Sequence, residues 1–372
     1  MKIGILAHSL FPIAEPFAGG LEMQTHALVK GLMARGHDVT LFAAEGSDLA
    51  FNVVPFDLNV IEFEDVKHIA RHDDFQDMFV NRHHAYLEVI LNLEQYDFDI
   101  VHNNSLHYMP LTMAQSVPVP YVTALHTPPF VFLQSAAMAV KHKQKVNYVT
   151  VSDHTAEVWR NFITNHHTIH NGIDLSLWEY SPEADTDTVI WSGRMCIEKG
   201  PHLAIAAARK AGKRILLAGP MSSPEYYDTH VKPILGADAI YLGHLEQSQL
   251  ARVVGNACCL LMTSTWEEPF GLVTVESLAC GTPVAAFDSG ATRHLLTPDT
   301  GRVVPKHDVA ALAEAIAQCC HLDRAACRAR AEAEFDQEVM VSRYEQFYRS
   351  VIAKEQVART DVAVRPAVAS PH

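Results

Sequence analysis

Short apolar runs bounded by turn residues alternate with longer amphipathic stretches along the first half of the chain. An apolar run at 2–9 is followed by an amphipathic stretch at 20–38 and by a second apolar run at 39–44. Such runs predict buried parallel strands, and the 3.6-residue period between them predicts a helix, so this segment forms a β-α-β unit. The same reasoning predicts three further strands, at 99–104, 119–126 and 146–152. It also predicts one long helix at 64–96.

A second series of the same kind begins after a polar stretch at 181–188. Its predicted strands are separated by helical patterns and lie at 188–194, 213–219, 239–243, 257–264 and 282–287. A helix is predicted from 308 to about 335. Two alternating series in 372 residues exceed what one core supports, so we predict two doubly wound parallel-sheet domains that face a central cleft.

The domain boundaries follow from the same pattern. The first domain is predicted over residues 1–175 and the second over 176–336. The last amphipathic stretch, 337–354, is expected to cross back to the first domain, and the Ala, Val and Pro-rich tail at 355–372 is expected to be disordered.

Composition narrows the function classes. The net charge of -14 argues against nucleic acid as a partner, and the 22 histidines lack the spacing of a zinc site, so no metal is predicted. Seven cysteines without a C-x-x-C pair suit reduced thiols in the cytoplasm, and no run of 18 apolar residues is present. The basic cluster Lys141–Lys145 is interpreted as a solvated face; weak peripheral contact with the inner membrane face is the alternative.

The strongest chemical signal is the string WEEPFGLVTVESLACGTPVAAF at 266–287, in which seven residues separate Glu268 from Glu276. Pro269 and Gly271 keep Glu268 outside the helix that follows. Both carboxylates then face the helix N-terminus, where free N–H groups favour a phosphate. A lone glutamate is usually a solvated charge, but the whole string predicts a site for hydroxyl groups beside a diphosphate.

A second element follows the first strand of the second domain. Gly193 permits a sharp turn, Pro201 suits the first position of the next helix, and Arg194 and Lys199 lie in the loop between them. Single lysines and arginines are most often surface charges. Two cations at the end of a strand instead match a departing pyrophosphate group, whose growing negative charge they stabilise.

Several segments together carry a resemblance to a known family: GGLEMQTHALVKGLMARGHDVTLFA near the start, DIVHNNS, TALH, VSDHTAEVW, IHNGID, SGRMCIEKG and the string with Glu268 and Glu276. The chain resembles the retaining glycosyltransferases of family 4, which have the GT-B architecture of two Rossmann-like domains. The resemblance extends over nearly the whole chain. It implies that residues 1–175 bind the acceptor and residues 176–336 bind a nucleotide-sugar donor.

The resemblance also implies individual roles. Glu276 would bind the ribose hydroxyls and Glu268 the donor sugar, while Arg194 and Lys199 would hold the diphosphate. His126 matches a histidine at the donor sugar, so the predicted catalytic residues are His126, Glu268, Arg194 and Lys199. The other predicted substrate contacts are backbone approaches and base contacts, at Gly19, Gly20, Gly219, Gly243, His244, Leu245, Phe270, Gly271 and Leu272.

The implied activity is a metal-independent, cofactor-free retaining transfer of a hexosyl unit from a UDP- or GDP-linked sugar. The acceptor is a hydroxyl of a carbohydrate, lipid-linked or small-molecule compound, as in polysaccharide, glycolipid or glycoside biosynthesis. Two alternatives stay open. The same scaffold suits a nucleotide-sugar epimerase, and it also suits a catalytically inactive subunit that only binds a nucleotide sugar.

Three features depart from the family pattern. A Gly-Gly-x-x-Glu string is often found after the strand that follows Glu276, but this chain has Ser289–Arg293 there, with Arg293 in place of the acid. Glu267 precedes Glu268 directly and competes with it for the sugar contact. Asp97-Phe98-Asp99 spells the D-x-D of metal-dependent enzymes, but its position at the start of a strand argues against a metal site.

Overall fold

The computed structural model describes residues 1–58, 74–142 and 146–364, and its first domain is built on one parallel sheet. The strands are β1 (Lys2–Leu6), β2 (Asp38–Ala43), β3 (Asn52–Pro55), β4 (Ile100–Asn103), β5 (Tyr121–Leu125), β6 (Asn147–Thr150) and β7 (His166–Thr168). Their spatial order is β3-β2-β1-β4-β5-β6-β7. The winding therefore reverses direction between β1 and β4.

The second domain repeats this topology. Its strands are β8 (Asp185–Ser192), β9 (Arg214–Ala218), β10 (Ala239–Tyr241), β11 (Ala257–Met262), β12 (Val284–Phe287) and β13 (Gly301–Val304). They are parallel in the order β10-β9-β8-β11-β12-β13, so the direction reverses between β8 and β11. The predicted fold class, two doubly wound parallel-sheet domains, is confirmed.

Helices cover both faces of each sheet. In the first domain they are α1 (Gly20–Ala34), α2 (Asp74–Asn92), α3 (Tyr108–Met113), α4 (Val131–Val140) and α5 (Asp153–Trp159). In the second they are α6 (Pro201–Lys210), α7 (Pro224–Tyr226), α8 (Gln247–Asn256), α9 (Leu272–Ala279), α10 (Thr292–Leu295), α11 (Val309–Cys319) and α12 (Arg324–Glu334). The chain ends in α13 (Gln337–Val364). Apolar side chains from both strand faces are buried under these helices, which explains why the strands read as continuous apolar runs.

Helix α13 leaves the second domain and packs on the first. Its Val341, Tyr344 and Tyr348 are buried beside β1 and α1. A Cβ at Gly31 of α1 would lie 2.5 Å from a methyl of Val341, so only glycine allows this approach. The helix continues to Val364, which corrects the expected start of a disordered tail at residue 355; residues 365–372 lie outside the described part of the chain.

The two chain crossings between the domains run side by side. Ile173 and Asp336 form a parallel bridge, with the N–H of Gln337 bonded to the carbonyl of Ile173 at 2.9 Å. A Cβ at Gly172 would lie 2.5 Å from the Cα of Gln337, so the Asn171-Gly172 turn needs its glycine.

The sequence pattern missed short edge elements. Strands β3, β7 and β13 have three or four residues each and are partly exposed, so they lack a continuous apolar run. The helix predicted over 308–335 is two helices, because Asp323 caps a new helix by accepting a bond from the N–H of Ala325 at 2.9 Å. The helix predicted over 64–96 is described only from Asp74, and residues 59–73 lie outside the described residues. None of the described helices has the length and apolar character to cross a bilayer.

Candidate active site

A cavity of about 510 Å³ opens between the carboxyl ends of the two sheets. Loops that follow β1 and β5 line it from the first domain, and loops that follow β8, β9 and β11 line it from the second. The two walls nearly touch, since a Cβ at Gly20 would lie 2.8 Å from a methyl carbon of Leu272. Ligands of doubly wound sheets bind at this edge, so the cavity is the candidate active site.

A lysine and a glutamate form the centre of the second-domain wall. The Lys199 ammonium donates a hydrogen bond to Oε1 of Glu268 and lies 5.7 Å from the ring centroid of Trp266. Their side chains are only 19% and 6% exposed, so the pair is largely removed from water. Gly200 makes this loop possible, because its φ is +65° and a Cβ there would lie 2.6 Å from the Thr263 carbonyl.

Arg194 follows β8 on the same wall. Its side chain is 46% exposed, and its nearest carboxylate is Glu198, with 3.6 Å between Nη2 and Oε1. This separation is longer than a hydrogen bond, so the guanidinium keeps donors for an anion in the cavity. Arg194 and Lys199 therefore lie in one loop that lines the cavity.

Glycines bring two strand ends together beneath these cations. A Cβ at Gly219 would lie 1.9 Å from the carbonyl oxygen of Gly193, so no larger residue fits. The N–H of Gly219 donates to the carbonyl of Gly243 at 2.9 Å. Gly243 itself does not line the cavity, whereas His244 and Leu245 do. Its part in the structure is to hold the Gly219 turn.

Glu276 differs sharply from Glu268. Its side chain lies in α9, lines the cavity and is 6% exposed, and no described residue donates a hydrogen bond to its carboxyl group. Burial raises the pKa of Glu276 to about 8. A buried carboxyl without a partner at a cavity wall is poised to accept hydrogen bonds from a bound ligand.

The N-terminus of α9 also faces the cavity. Gly271 caps this helix with a φ of +98°, and Leu272 and Val273 of its first turn line the cavity. Phe270, which lines the cavity too, is 3% exposed and packs on Phe335, with 6.0 Å between ring centroids. The first-turn N–H groups of α9 thus complete a wall suited to an anion.

Glu267 points away from the cavity. Its carboxylate pairs with Lys306 and accepts a bond from the N–H of Gly290 at 2.9 Å. His154 lies 3.7 Å from the same carboxylate. Glu267 is thus engaged in the loop structure, and Glu268 is the glutamate that lines the cavity.

The loop at 289–293 supports this arrangement from outside. The N–H of Ala291 donates to the Glu268 carbonyl at 2.9 Å, and a Cβ at Gly290 would lie 2.1 Å from the same carbonyl oxygen. Arg293 bonds to Asp288, with 2.6 Å between Nε and Oδ1, and does not line the cavity. Arg293 therefore contributes no side chain to the cavity wall.

His126 lies on the opposite, first-domain wall. Its Nε2 is 2.5 Å from Oδ1 of Asn104, and the Asn104 amide group donates to Gln24 and Thr25 at 3.0 and 2.8 Å. Because that amide is used as a donor, the network places the His126 proton on Nε2 and leaves Nδ1 as an acceptor. Burial lowers the pKa of His126 to about 3, so the ring is neutral.

Glu22 and His8 were missed by the sequence reasoning. Both line the cavity from the first domain, and Nδ1 of His8 lies 3.8 Å from Oε1 of Glu22. Glu22 is 5% exposed, and burial raises its pKa. Glu22 stands two residues after Gly20 inside the quoted glycine segment, but a lone acid in a first helical turn is normally explained by the helix dipole.

One contact ties the two walls together. The Thr155 hydroxyl donates to the carbonyl oxygen of Pro269 at 3.0 Å, and the Ser152 hydroxyl donates to the same oxygen at 2.5 Å. Both residues belong to the start of α5 in the first domain. Since Pro269 follows Glu268 directly, the position of the first domain is coupled to the glutamate in the cavity.

Two sequence features lie away from the cavity. The backbone N–H of Lys2 donates to Asp99 at 2.8 Å, and the Lys2 ammonium lies 3.3 Å from Asp97. The D-x-D segment is therefore at the amino edge of the sheet, opposite to the cavity. Of the basic cluster, Lys141 bonds to the Asn161 carbonyl at 2.5 Å, and residues 143–145 lie outside the described chain.

The predicted site residues thus meet in one place, apart from Gly243. The second domain contributes Arg194, Lys199, Gly219, His244, Leu245, Glu268, Phe270, Gly271, Leu272 and Glu276, and the first domain contributes Gly19, Gly20 and His126. Trp266, which lies beneath the Lys199 ammonium, was not predicted although it opens the same string. These residues line one cavity, so the roles predicted for them can be tested together by substitution.

Family comparisons match both halves of the chain. The model described as Glycosyltransferase Family 4 matches residues 18–177, and the model described as Glycosyl transferases group 1 matches residues 176–334. Together the two matches span residues 18–334.

Individual relatives and solved structures are more distant. Glycogen synthase of Mycobacterium tuberculosis is 25% identical over 356 residues, which cover 85% of each chain. D-inositol 3-phosphate glycosyltransferase of Mycobacteroides abscessus is 31% identical over 168 residues, 40% of this chain and 38% of the relative. The fold is similar to that of sucrose-phosphate synthase from Thermosynechococcus elongatus, with a TM-score of 0.76, 19% identity and coverage of 95% and 99% of the two chains. Anabaena HepE, solved in complex with UDP and glucose, has a TM-score of 0.72, 19% identity and coverage of 94% and 100%.

Proposed function

This chain belongs to glycosyltransferase family 4, and from that premise we propose that it transfers a hexosyl unit from a UDP- or GDP-linked sugar to an acceptor hydroxyl, with retention of configuration and without a metal ion. The observation that supports this most is the second-domain wall. There the bonded pair Lys199 and Glu268, the open guanidinium of Arg194 and the N-terminus of α9 face one cavity.

The proposed donor position follows from charge. Arg194, Lys199 and the first turn of α9 offer positive charge and N–H donors to a diphosphate. Glu276, whose carboxyl receives no hydrogen bond from the described residues, would accept hydrogen bonds from the ribose hydroxyls. Glu268, which is bonded to Lys199 at the centre of the wall, would accept hydrogen bonds from hydroxyls of the donor sugar. These bonds would keep the sugar beside the diphosphate.

The proposed transfer needs no nucleophile from the protein. The bond between the anomeric carbon and the diphosphate oxygen breaks, and the acceptor oxygen forms its bond to the same face of that carbon. The acceptor proton passes to an oxygen of the departing diphosphate. Lys199, Arg194 and the α9 N-terminus stabilise the charge that develops on this group, and binding in one cavity aligns the reactants.

The domain roles are part of the proposal. Residues 1–175, with α13 packed on them, would bind the acceptor, and residues 176–336 would bind the donor. Neutral His126 would offer Nδ1 to a hydroxyl of the donor sugar from the first-domain side. The name of the D-inositol 3-phosphate relative and the UDP and glucose in the HepE complex support a sugar-nucleotide reaction of this class.

The test is a transfer assay with labelled UDP-glucose and GDP-mannose, run with a panel of sugar, inositol and lipid-linked acceptors. We expect a glycosylated product from the wild type and a loss of about 10²- to 10³-fold in rate for Glu268→Gln and Lys199→Ala. Near wild-type rates in both variants would refute the assignment. An isomeric nucleotide sugar formed without acceptor would indicate an epimerase, and nucleotide binding without turnover would indicate an inactive binding subunit.

A further inference from the structure

The first-domain wall contains a polar pair that the transfer mechanism does not use. The Glu22 carboxyl lines the cavity and is 95% removed from solvent, since its residue is only 5% exposed. No described residue donates a side-chain hydrogen bond to it, and its nearest basic atom is Nδ1 of His8 at 3.8 Å. Its own backbone N–H donates to it, and the carboxyl keeps further acceptor capacity at the cavity wall, which suits a ligand that donates hydrogen bonds.

His8 is suited to the same ligand. Burial and the nearby charge of Arg82 lower the pKa of His8 to about 4, so the imidazole is neutral. Its Nδ1 faces Glu22 and has no hydrogen-bond partner among the described residues. A neutral imidazole beside a carboxyl group can accept and donate hydrogen bonds to hydroxyl groups but does not attract an anion.

An aromatic side chain borders this pair. Phe11 stacks on His8, with 6.1 Å between ring centroids and 22° between ring planes, and is 46% exposed at the cavity. Phe17 lines the same wall. A sugar or cyclitol ring has an apolar C–H face and a rim of hydroxyls, and an exposed phenyl ring beside hydroxyl acceptors complements both.

The charges of this wall disfavour a phosphorylated acceptor. The charged residues that line the cavity from the described part of the first domain are Glu15 and Glu22, and both cations of the lining come from the second domain. Arg82, whose charge acts on His8, donates from Nε to Ser9 at 3.0 Å and does not line the cavity. The Glu22 carboxyl also lies at the N-terminus of α1, the place where an acceptor phosphate would otherwise find free N–H groups.

We propose that the wall formed by His8, Phe11 and Glu22 binds an uncharged polyhydroxy acceptor, a sugar or cyclitol without a phosphate group, and that Glu22 determines this specificity. The proposal rests on the proposed transferase function. Glu22 accepts a hydrogen bond from an acceptor hydroxyl next to the hydroxyl that attacks. It therefore orients the acceptor and does not change the reactivity of the attacking hydroxyl. The expected consequence of its loss is a higher KM for the acceptor with little change in donor binding.

The experiment measures nucleotide release from UDP-glucose and GDP-mannose with paired probes: glucose and glucose 6-phosphate, myo-inositol and its 1-phosphate, and maltose. We expect the uncharged probes to accelerate release at least tenfold over water and the phosphate esters to be weaker. In Glu22→Gln, the KM for the active probe rises about tenfold, while the Kd for nucleotide, measured by calorimetry, is unchanged. Glu45→Gln, an exposed acid after β2, is the matched control and leaves both unchanged.

Phe11→Ala serves if Glu22→Gln does not fold, because Phe11 is exposed and its loss spares the core. We expect a severalfold rise in acceptor KM for this variant. A preference for the phosphate esters, no response to any uncharged probe, or an unchanged acceptor KM in the variants would each overturn the proposal. Nucleotide binding by the wild type in those cases would leave the proposed donor site intact, whereas absence of nucleotide binding would count against the transferase function itself.

Discussion

The two walls of the cavity are built on the same topology but carry opposite chemistry. The second-domain wall holds two cations, a lysine-glutamate pair and a helix N-terminus. The first-domain wall holds two neutral histidines, one buried acid and the exposed ring of Phe11. Among the described residues that line the cavity, the Arg and Lys cations lie on the second-domain wall only, which gives a ligand with an anionic and an uncharged part a single orientation. We therefore propose that the diphosphate binds to the second domain and the acceptor to the first.

The largest expected effect comes from removing charge on the second-domain wall. In Lys199→Ala the departing diphosphate loses a cation and Glu268 loses its partner, so we expect kcat to fall by about 10²- to 10³-fold. Steady-state kinetics with the active donor measures this. Lys213→Ala is the control, because Lys213 bonds to the Thr186 carbonyl at 2.7 Å outside the cavity lining. An equal fall in kcat for Lys199→Ala and Lys213→Ala would show that the position of Lys199 on the second-domain wall does not determine the rate.

The next effect separates the two glutamates of the second-domain wall. Glu276→Gln removes the proposed acceptor of hydrogen bonds from the ribose hydroxyls, so we expect the Kd for nucleoside diphosphate to rise about tenfold or more. Ligand hydroxyls favour the ionised carboxylate, whose pKa is raised to about 8 in the free protein. The ratio of variant to wild-type Kd should therefore grow as pH rises from 6 to about 8.5. Calorimetric titrations at several pH values would detect it; a flat ratio would argue against a ribose contact.

Ionisation of Glu276 favours nucleotide binding, but it lowers the stability of the ligand-free fold. Because burial raises the pKa of Glu276 above that of the unfolded chain, the protonated form is favoured in the fold, and stability is lost as pH rises toward about 8. Glu276→Gln lacks this loss. We expect the Tm of the variant minus that of the wild type to increase between pH 5 and pH 8.5, as measured by thermal unfolding without ligand. A difference that shrinks with pH would contradict the assignment of an unpartnered buried acid.

The smallest expected effect concerns the contact between the walls. Thr155→Val removes one of two hydroxyls that donate to the Pro269 carbonyl and keeps the side-chain shape. We expect kcat to fall severalfold with nucleotide Kd unchanged, and a stability loss of about 1 kcal/mol. Thr164→Val is the control, since that hydroxyl lies 3.4 Å from the Lys141 carbonyl at the surface. A change in nucleotide Kd with kcat unchanged would mean that this contact does not help to position Glu268 for the transfer.

The two walls also differ in how far the sequence predicted them. The second-domain wall comes from two continuous segments, the loop with Arg194 and Lys199 and the string with Glu268 and Glu276, so its residues were recognisable together. The first-domain wall combines one continuous segment, residues 15–23, with separate residues at the ends of several strands, such as His8 and His126, so no single string contains the whole wall. Glu22 and His8 become a pair only when β1 and α1 are folded.

The sequence also did not predict which of two adjacent glutamate side chains points into the cavity. Glu267 and Glu268 are adjacent, yet one pairs with Lys306 outside the cavity and the other with Lys199 inside it. The loop at 289–291 holds both residues, since the N–H of Gly290 donates to the Glu267 carboxylate and the N–H of Ala291 donates to the Glu268 carbonyl. The strand alternation of both domains was readable because their central strands are buried on both faces, whereas the edge strands β3, β7 and β13 were not.

The assignment of the diphosphate to the second-domain wall is tested most directly by calorimetric titration of UDP and GDP into the wild type, Lys199→Ala and Glu22→Gln. We expect one nucleotide site per wild-type chain, binding weakened tenfold or more in Lys199→Ala, and unchanged binding in Glu22→Gln. Nucleotide binding that is insensitive to Lys199→Ala, or that is lost in Glu22→Gln alone, would contradict the division of the cavity into a donor wall and an acceptor wall.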